Sequence, residues 1–213
     1  MSFASGLITP ELSAEFPGLR LHWTALDARP GPSPPELRRR LRELSDRYLG
    51  AGVVAMRTQP IPHAYRAFFR QVGVDPDTAR IPSEEAAVRR LVQGRFQSRD
   101  TLEDALLISL VETGVPVWAL ERRAVDVESL GIRLAVAGDR LGSVADGLSL
   151  TAGQLVVADG WNVHAALFGP PAPEHVPGPR TQGLVLFAVG VNGVPAIHVE
   201  EALWLAVDVL EAG

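Results

Sequence analysis

The spacing of hydrophobic residues divides the chain into a helix-rich first half and a strand-rich second half. Across much of residues 33–113 the apolar positions recur every three or four residues, which is the period of an amphipathic helix. From Val115 onward they form short runs separated by Gly, Asp and Pro, a pattern typical of strands. The change of period predicts an α+β protein.

End signals delimit four helices in the first half. Their predicted first residues are N-cap formers or prolines, which suit the start of a helix: Ser33, Pro62, Ser83 and Thr101. Three of these helices are predicted to stop at a glycine: Gly73, Gly94 and Gly114. In the fourth helix, Thr101 is the predicted cap and Asp104 takes the acidic position of a capping box.

An apolar stripe on each helix predicts its buried face. In the first helix the stripe is Leu37, Leu41, Leu44 and Tyr48, and in the third it is Ala87, Val88 and Leu91. A last helix, over residues 198–210, carries Leu203, Trp204, Val207 and Leu210 on its stripe.

Seven apolar runs are predicted as strands: residues 19–25, 53–56, 115–120, 131–136, 155–157, 163–168 and 184–191. Residues 169–183 contain five prolines and are predicted to form an irregular surface loop. Since no interdomain linker interrupts the pattern, we expect residues 1–213 to form one domain that includes residues 1–64.

Composition excludes several classes of site. At 213 residues the chain is long enough to bury a stable core without a cofactor. Because it has no cysteine, it has no disulfide, zinc–thiolate site or cysteine nucleophile. Its five histidines are scattered, so we expect no metal site, and no phosphate-binding glycine motif is present.

The absence of a signal peptide or long apolar run predicts a cytoplasmic protein with no membrane segment.

Charge is distributed unevenly along the chain. Residues 1–99 hold 15 Arg and 10 acidic residues, whereas residues 100–213 hold 5 Arg and 15 acidic residues. Arg89, Arg90, Arg95 and Arg99 surround the predicted end of the third helix, where they are candidates for contacts with nucleic-acid phosphates. The alternative is that they form the solvated surface of a helix.

A second candidate site is a polar cluster in the strand-rich half. It consists of Asp159, Trp161, Asn162 and His164, with Thr181 beyond the proline-rich loop. An Asn, a His and a Thr near a Trp suit the binding of an amino-acid group or the positioning of a water molecule. The alternative is that they are ordinary turn residues at the end of a strand.

The order of several short segments resembles the B3/B4 module of the phenylalanyl-tRNA synthetase β chain. The segments span about residues 65–190, and they are residues 81–84, 89–94, 101–105, 112–121, 155–159 and 165–169, followed by Thr181. Residues 114–121, Gly-Val-Pro-Val-Trp-Ala-Leu-Glu, match a family turn of the form Gly-x-Pro-x-His-Ala-Phe-Asp. Residues 155–159, Leu-Val-Val-Ala-Asp, match a Leu-Val-Ile-Ala-Asp strand.

The resemblance implies a fold and a partner, although it does not imply preserved catalysis. The implied fold is a β-sandwich core with helices packed on one side, and the implied partner is tRNA or an aminoacyl ester, because the module hydrolyses mischarged tRNA. Trp118 replaces the family's editing histidine, and Phe187 stands where an acid is expected. Free-standing members of the family also lack the histidine and often have a Trp-Asn pair, which Trp161-Asn162 resembles.

If the chain is a hydrolase, the resemblance favours a substrate-assisted mechanism. Asn162 or His164 would orient a water molecule, and backbone amides near Gly169 would stabilise an oxyanion. Trp118, Trp161, Gly169 and Thr181 would then surround the substrate.

Three functions stay open at the level of sequence. The first is tRNA or aminoacyl-tRNA binding, with or without editing, and it predicts an arginine-lined groove that leads to a pocket near Trp118 and Asn162. The second is recognition of a free amino acid or other small metabolite, which predicts a closed cavity without a basic approach. The third is a protein interaction module, which predicts an exposed apolar patch and no pocket.

Overall fold

A computed structural model describes residues 3–48, 55–142 and 147–212. Within them the chain is mixed α+β, with two sheets and six helices. The helices are α1 Pro10–Glu15, α2 Pro35–Arg47, α3 Pro60–Gln71, α4 Pro82–Gln93, α5 Thr101–Thr113 and α6 Ala196–Glu211. The strands are β1 Ala4–Ser5, β2 Leu7–Ile8, β3 Arg20–Leu26, β4 Val117–Glu121, β5 Gly131–Leu134, β6 Arg140–Leu141, β7 Leu148–Ser149, β8 Leu155–Ala158, β9 Val163–Ala166 and β10 Leu184–Gly190.

The smaller sheet is antiparallel, with the strand order β1-β3-β10-β4. Its central strand β10 is buried along its whole length, as its unbroken run of apolar residues favours. Helix α6 covers one face and packs against β10, β3 and β4. Helix α5 packs on α6, and α2 and α4 pack on α5, so the helices form layers outside the sheet.

The larger sheet has the order β2-β5-β8-β9-β6-β7 and contains both parallel and antiparallel pairs. The two sheets share one hydrophobic core, which includes Leu21 and Phe187 from the smaller sheet and Ile132 and Val157 from the larger. β2 and β5 approach so closely that a Cβ atom at Gly131 would lie 2.1 Å from the carbonyl oxygen of Leu7. Only glycine fits at that crossing.

Most of the predicted elements are confirmed. The five predicted helices correspond to α2–α6, and six of the seven predicted strands correspond to β3, β4, β5, β8, β9 and β10. The proline-rich loop is irregular apart from a short 3-10 turn at Pro173–His175. The strand predicted over residues 53–56 lies largely outside the described residues, although Ala55 and Met56 are helical.

The structure shows that the predicted caps of two helices and the predicted burial of two helical residues were wrong. Asp100, not Thr101, caps α5, because its side chain accepts a hydrogen bond from the backbone N–H of Glu103 at 2.8 Å. Ser33 makes no cap for α2 and instead donates to Asp104. Leu91 and Trp204, which were predicted to be buried, are 43% and 53% exposed, because the helices turn other faces inward.

Candidate ligand-binding cleft

An open cleft of about 520 Å³ lies between the helices α4 and α5, the strand β4 and the turn that follows β9. Trp118, Phe168 and Leu110 contribute apolar wall, and Gln93 and Gln97 contribute polar groups. The volume is within the range of small-molecule sites, which are mostly apolar with a few polar groups that orient the ligand. The cleft is therefore the leading candidate for a binding site.

An aromatic stack forms the sheet side of the cleft. Trp118 on β4 lies directly opposite Phe187 on β10, so both side chains project from the same face of the sheet. Their ring centroids are 5.5 Å apart and the rings are nearly parallel, at 14°. Phe187 is buried, whereas Trp118 is half-buried and faces the cleft. Trp118 thus forms an aromatic wall with open space beside it.

Phe168 closes the adjacent wall in an unusual backbone conformation. Its φ angle is +63°, in the left-handed region that a bulky residue rarely adopts. Its ring contacts those of Tyr65, Phe68, Phe69 and Trp118, with centroids 5.3–5.9 Å apart. These aromatic contacts offset the backbone strain, which is of a kind often found beside functional sites. The chain reverses here, so that Gly169 donates a backbone hydrogen bond to the carbonyl oxygen of Ala166 at 2.8 Å.

Three of the four predicted arginines line the cleft, and each has a partner. Arg89 pairs with Glu85 at 3.1 Å and Arg99 pairs with Glu103 at 2.9 Å. Arg90 donates two hydrogen bonds, at 3.1 and 2.8 Å, to the carbonyl oxygen of Ser45 in the last turn of α2. The rim is therefore rich in guanidinium groups but nearly balanced in charge. Arg95 is exposed and does not line the cleft.

Asp104 anchors the segment that carries Arg99. The carboxylate is buried, and it accepts hydrogen bonds from the hydroxyls of Ser33 at 2.7 Å and Ser98 at 2.5 Å, and from the backbone N–H of Arg99 at 3.0 Å. It thereby joins α5 to the chain before α2 and to the loop before α5. Its role in this arrangement is to position the rim.

The polar cluster predicted around Asn162 lies away from the cleft. Trp161 and Asn162 precede β9, whereas Gly169 follows it, so the two groups occupy opposite ends of that strand. The backbone N–H groups of Trp161 and Asn162 donate to Asp159 Oδ1 at 2.8 and 2.7 Å. The Trp161 side chain is 84% exposed. The structure therefore brings together Trp118, Gly169 and three arginines, but not Trp161 or Asn162.

His164 is fully buried and forms part of a hydrogen-bonded chain of ionisable side chains. Its Nε2 lies 2.9 Å from Asp159 Oδ2, and its Nδ1 lies 3.0 Å from His175 Nδ1. Burial lowers the pKa of both histidines, an effect that the nearby acidic residues oppose. The pKa of Asp159 is also lowered: burial acts to raise it, but the backbone N–H groups and His164 together outweigh that effect. His164 does not reach the cleft.

Thr181 is also buried, and its hydroxyl already makes two hydrogen bonds. Its hydroxyl donates to a carboxylate oxygen of Glu121 and accepts from the backbone N–H of Gly178 at 2.9 Å. These bonds fix the end of the proline-rich loop against β4. Thr181 is not among the residues that line the cleft.

Sequence reasoning missed several residues of the cleft. The ion-pair partners Glu85 and Glu103 were detectable, because each lies four residues from its arginine in the sequence. Glu85 and Arg89 share the helix α4, where this spacing brings side chains together. Phe168 was predicted only as the end of a strand. No local pattern distinguishes a phenylalanine with positive φ, so its role in the wall emerges only from the packing.

Across the described ranges, we find no group of three or more His, Cys, Asp or Glu side chains placed to hold a metal ion. Nor does any helix in those ranges have the length and apolar character needed to cross a membrane.

The fold and the cleft together define a two-sheet α+β protein with an aromatic-walled, arginine-rimmed pocket. A scan against models of protein families finds no match to this chain. A search of curated proteins finds no similar sequence either.

Proposed function

We propose that this chain is a B3/B4-like protein that binds the aminoacyl end of an aminoacyl-tRNA in the cleft. The observation that carries the proposal is the convergence of Trp118, Gly169 and three arginines, from four separate parts of the sequence, on one cavity. The motif order that resembles the B3/B4 module supports the same function. So does the two-sheet architecture with helices layered against one sheet.

Each part of the cleft suits one part of such a ligand. The Trp118 and Phe168 rings and Leu110 would hold the amino-acid side chain, because burial of apolar surface supplies most of the affinity of a small site. Arg89 and Arg99 are exposed at the rim, where each could exchange its carboxylate partner for a phosphate. An open cleft is needed because the rest of the RNA must stay outside.

We propose binding without assigning hydrolysis to Asn162 or His164. Neither lines the cleft, and the imidazole of His164 is already bound on both nitrogens. A general base must come within hydrogen-bond reach of its proton, directly or through one water molecule. If the protein hydrolyses an ester, the attacking water would have to be positioned by the ligand itself or by other groups of the cleft.

The charge balance of the rim favours a second candidate, a free amino acid or similar small metabolite. Glu85 and Glu103 already neutralise Arg89 and Arg99. Such a rim repels neither end of a zwitterion and attracts a polyanion only weakly at physiological salt.

Binding measurements separate the two candidates. Labelled aminoacyl-tRNA, uncharged tRNA and a panel of free amino acids would be titrated from about 50 to 200 mM salt. An RNA ligand should bind more weakly as salt increases, and the R89A/R99A double variant should reduce the slope of log K against log salt by about 2. Arg39→Ala is the matched control, because Arg39 is also an exposed, i,i+4-paired helical arginine but lies outside the cleft.

Trp118→Ala tests whether the acyl group occupies the aromatic wall. It should weaken binding of aminoacyl-tRNA more than that of uncharged tRNA, because only the acyl group contacts the ring. Salt-independent binding of a free amino acid that Trp118→Ala abolishes would establish the second candidate instead. Binding of neither class by the wild type would exclude both.

A further inference from the structure

The proline-rich loop, which forms one wall of the cleft, is attached to β9 by a pair of buried histidines. After the turn at Phe168, the chain runs back beside β9: Pro171 forms a bridge to Ala165, and Ala172 donates a backbone hydrogen bond to the carbonyl oxygen of His164 at 2.8 Å. His175 then contacts His164 through the Nδ1 atoms at 3.0 Å. Gly169, Pro170 and Pro171 of the same segment line the cleft.

The hydrogen bonds assign the proton positions in this pair. Asp159 accepts backbone N–H groups of Asp126, Trp161 and Asn162, which stabilises its ionised form. An ionised carboxylate only accepts hydrogen bonds, so His164 must carry its proton on Nε2. A neutral His164 then offers a lone pair on Nδ1. His175 must therefore donate its Nδ1–H to His164.

The charges around the pair are mainly acidic. Asp159 acts on both imidazoles and Glu174 acts on His175, and each raises the histidine pKa, whereas burial lowers it and prevails for both rings. Asp126 contributes its backbone N–H to Asp159, and its own carboxylate accepts from the Ser129 hydroxyl at 2.6 Å. Among the described residues, no arginine shifts the pKa of either ring, and His175 lowers the pKa of His164.

Protonation affects the two rings differently. A first proton on His175 Nε2 leaves the Nδ1–H bond to His164 intact. A second proton has to be added at His164 Nδ1, where it places two N–H groups face to face without an acceptor. The bond between the rings is then lost, and two positive charges lie side by side in a buried site.

We propose that the His164–His175 pair is a pH-sensitive latch that holds the 169–175 wall of the cleft against β9 and releases it when both imidazoles are protonated. Because both rings favour the neutral form in the folded protein, release occurs below the ordinary histidine pKa of 6.5. This release of the 169–175 wall does not depend on a ligand. Only the effect of the release on ligand binding rests on the proposed function.

Hydrogen exchange at the amide of Ala172 measures the latch directly, because that amide bonds to the His164 carbonyl. After correction for the intrinsic pH dependence of exchange, its protection in the wild type should decrease at least about fivefold between about pH 7 and pH 5, the effect of losing one buried hydrogen bond. Amides of the central strand β10 should keep their protection over the same range, which shows that the protein stays folded.

His175→Asn provides the discriminating variant. An Asn side chain can donate its amide N–H to neutral His164 or turn its carbonyl toward protonated His164, so protection of Ala172 should stay constant with pH. His175→Leu removes the donor and should lower protection even at neutral pH. If it does not fold, the comparison of wild type with His175→Asn is sufficient.

An equal acid-induced loss of protection in wild type and His175→Asn would overturn the latch, as would constant protection in the wild type between about pH 7 and pH 5. Ligand binding is measured separately at neutral pH. A protein that shows the latch but binds no ligand would thus contradict the proposed function and leave the latch standing, and the reverse result would contradict only the latch.

Discussion

Asp104→Ala should destabilise the protein and loosen the arginine rim of the cleft. The substitution removes a buried carboxylate that accepts three hydrogen bonds. Ser98 is exposed and its hydroxyl can turn to water, so the loss of that bond has little effect. The Ser33 hydroxyl is buried, and the Arg99 backbone N–H is also left without an acceptor. Leaving these two groups unsatisfied should cost about 3 kcal/mol in total.

For a chain of this length, that loss should lower the Tm by about 6–12 °C in a thermal melt followed by circular dichroism. Asp104→Asn should cost only about 1 kcal/mol, because hydroxyls can rotate to accept from the new amide, which keeps the three contacts but loses the charge.

Glu103→Gln is the matched control. Glu103 is the adjacent residue of α5, and its pairing with Arg99 is exposed to solvent, so the change should alter stability by less than about 0.5 kcal/mol. If Asp104→Ala cost no more than this control, the carboxylate would not be an anchor. The assignment of the rim geometry to its hydrogen bonds would then be wrong.

Two further predictions concern stability. Glu84→Gln should cost about 2 kcal/mol in urea denaturation. The change removes the buried carboxylate that accepts from Arg66 at 2.8 and 3.0 Å and leaves Asp77, at 2.7 Å, as the ionised partner of that guanidinium. Glu85→Gln, on the exposed side of the same turn, should be nearly neutral, and equal effects would refute the distinction. The free energy of unfolding should also decrease as the pH falls below 6.5, because burial lowers the pKa of His164 and His175 and the unfolded chain binds more protons there. A free energy of unfolding that stays constant between about pH 7 and pH 5 would contradict this.

Local sequence patterns were sufficient where one residue and its near neighbours determine the outcome. The four- and three-residue spacing of Leu37, Leu41 and Leu44 places them on one face of α2, and all three are buried. The apolar run over residues 184–191 predicted a strand, and β10 is buried at every position. Gly94 and Gly114 end their helices with φ angles of 77° and 75°, a conformation that glycine adopts without strain. These features follow from local sterics and periodicity.

The short strands β1, β2, β6 and β7 could not be predicted in this way. Each has two residues, which is too short for an alternating pattern to be recognised. Some of their partners lie far along the chain, such as β5 for β2, whereas β6 and β7 pair with each other. The predicted buried face of α6 was wrong at Trp204 for a related reason. Trp204 is apolar, yet it is exposed, because the elements that pack on α6 cover a different face of the helix.

For the candidate site, the sequence by itself determined which residue types were available, and the tertiary structure decided which of them meet. Trp118, Gly169, Arg89, Arg90 and Arg99 come together because β4, the turn after β9 and the helices α4 and α5 surround one space. His164 and Asn162 were equally good candidates by chemistry. Neither lines that space, because Asn162 lies at the end of β9 opposite Gly169, and the imidazole of His164 is buried between Asp159 and His175.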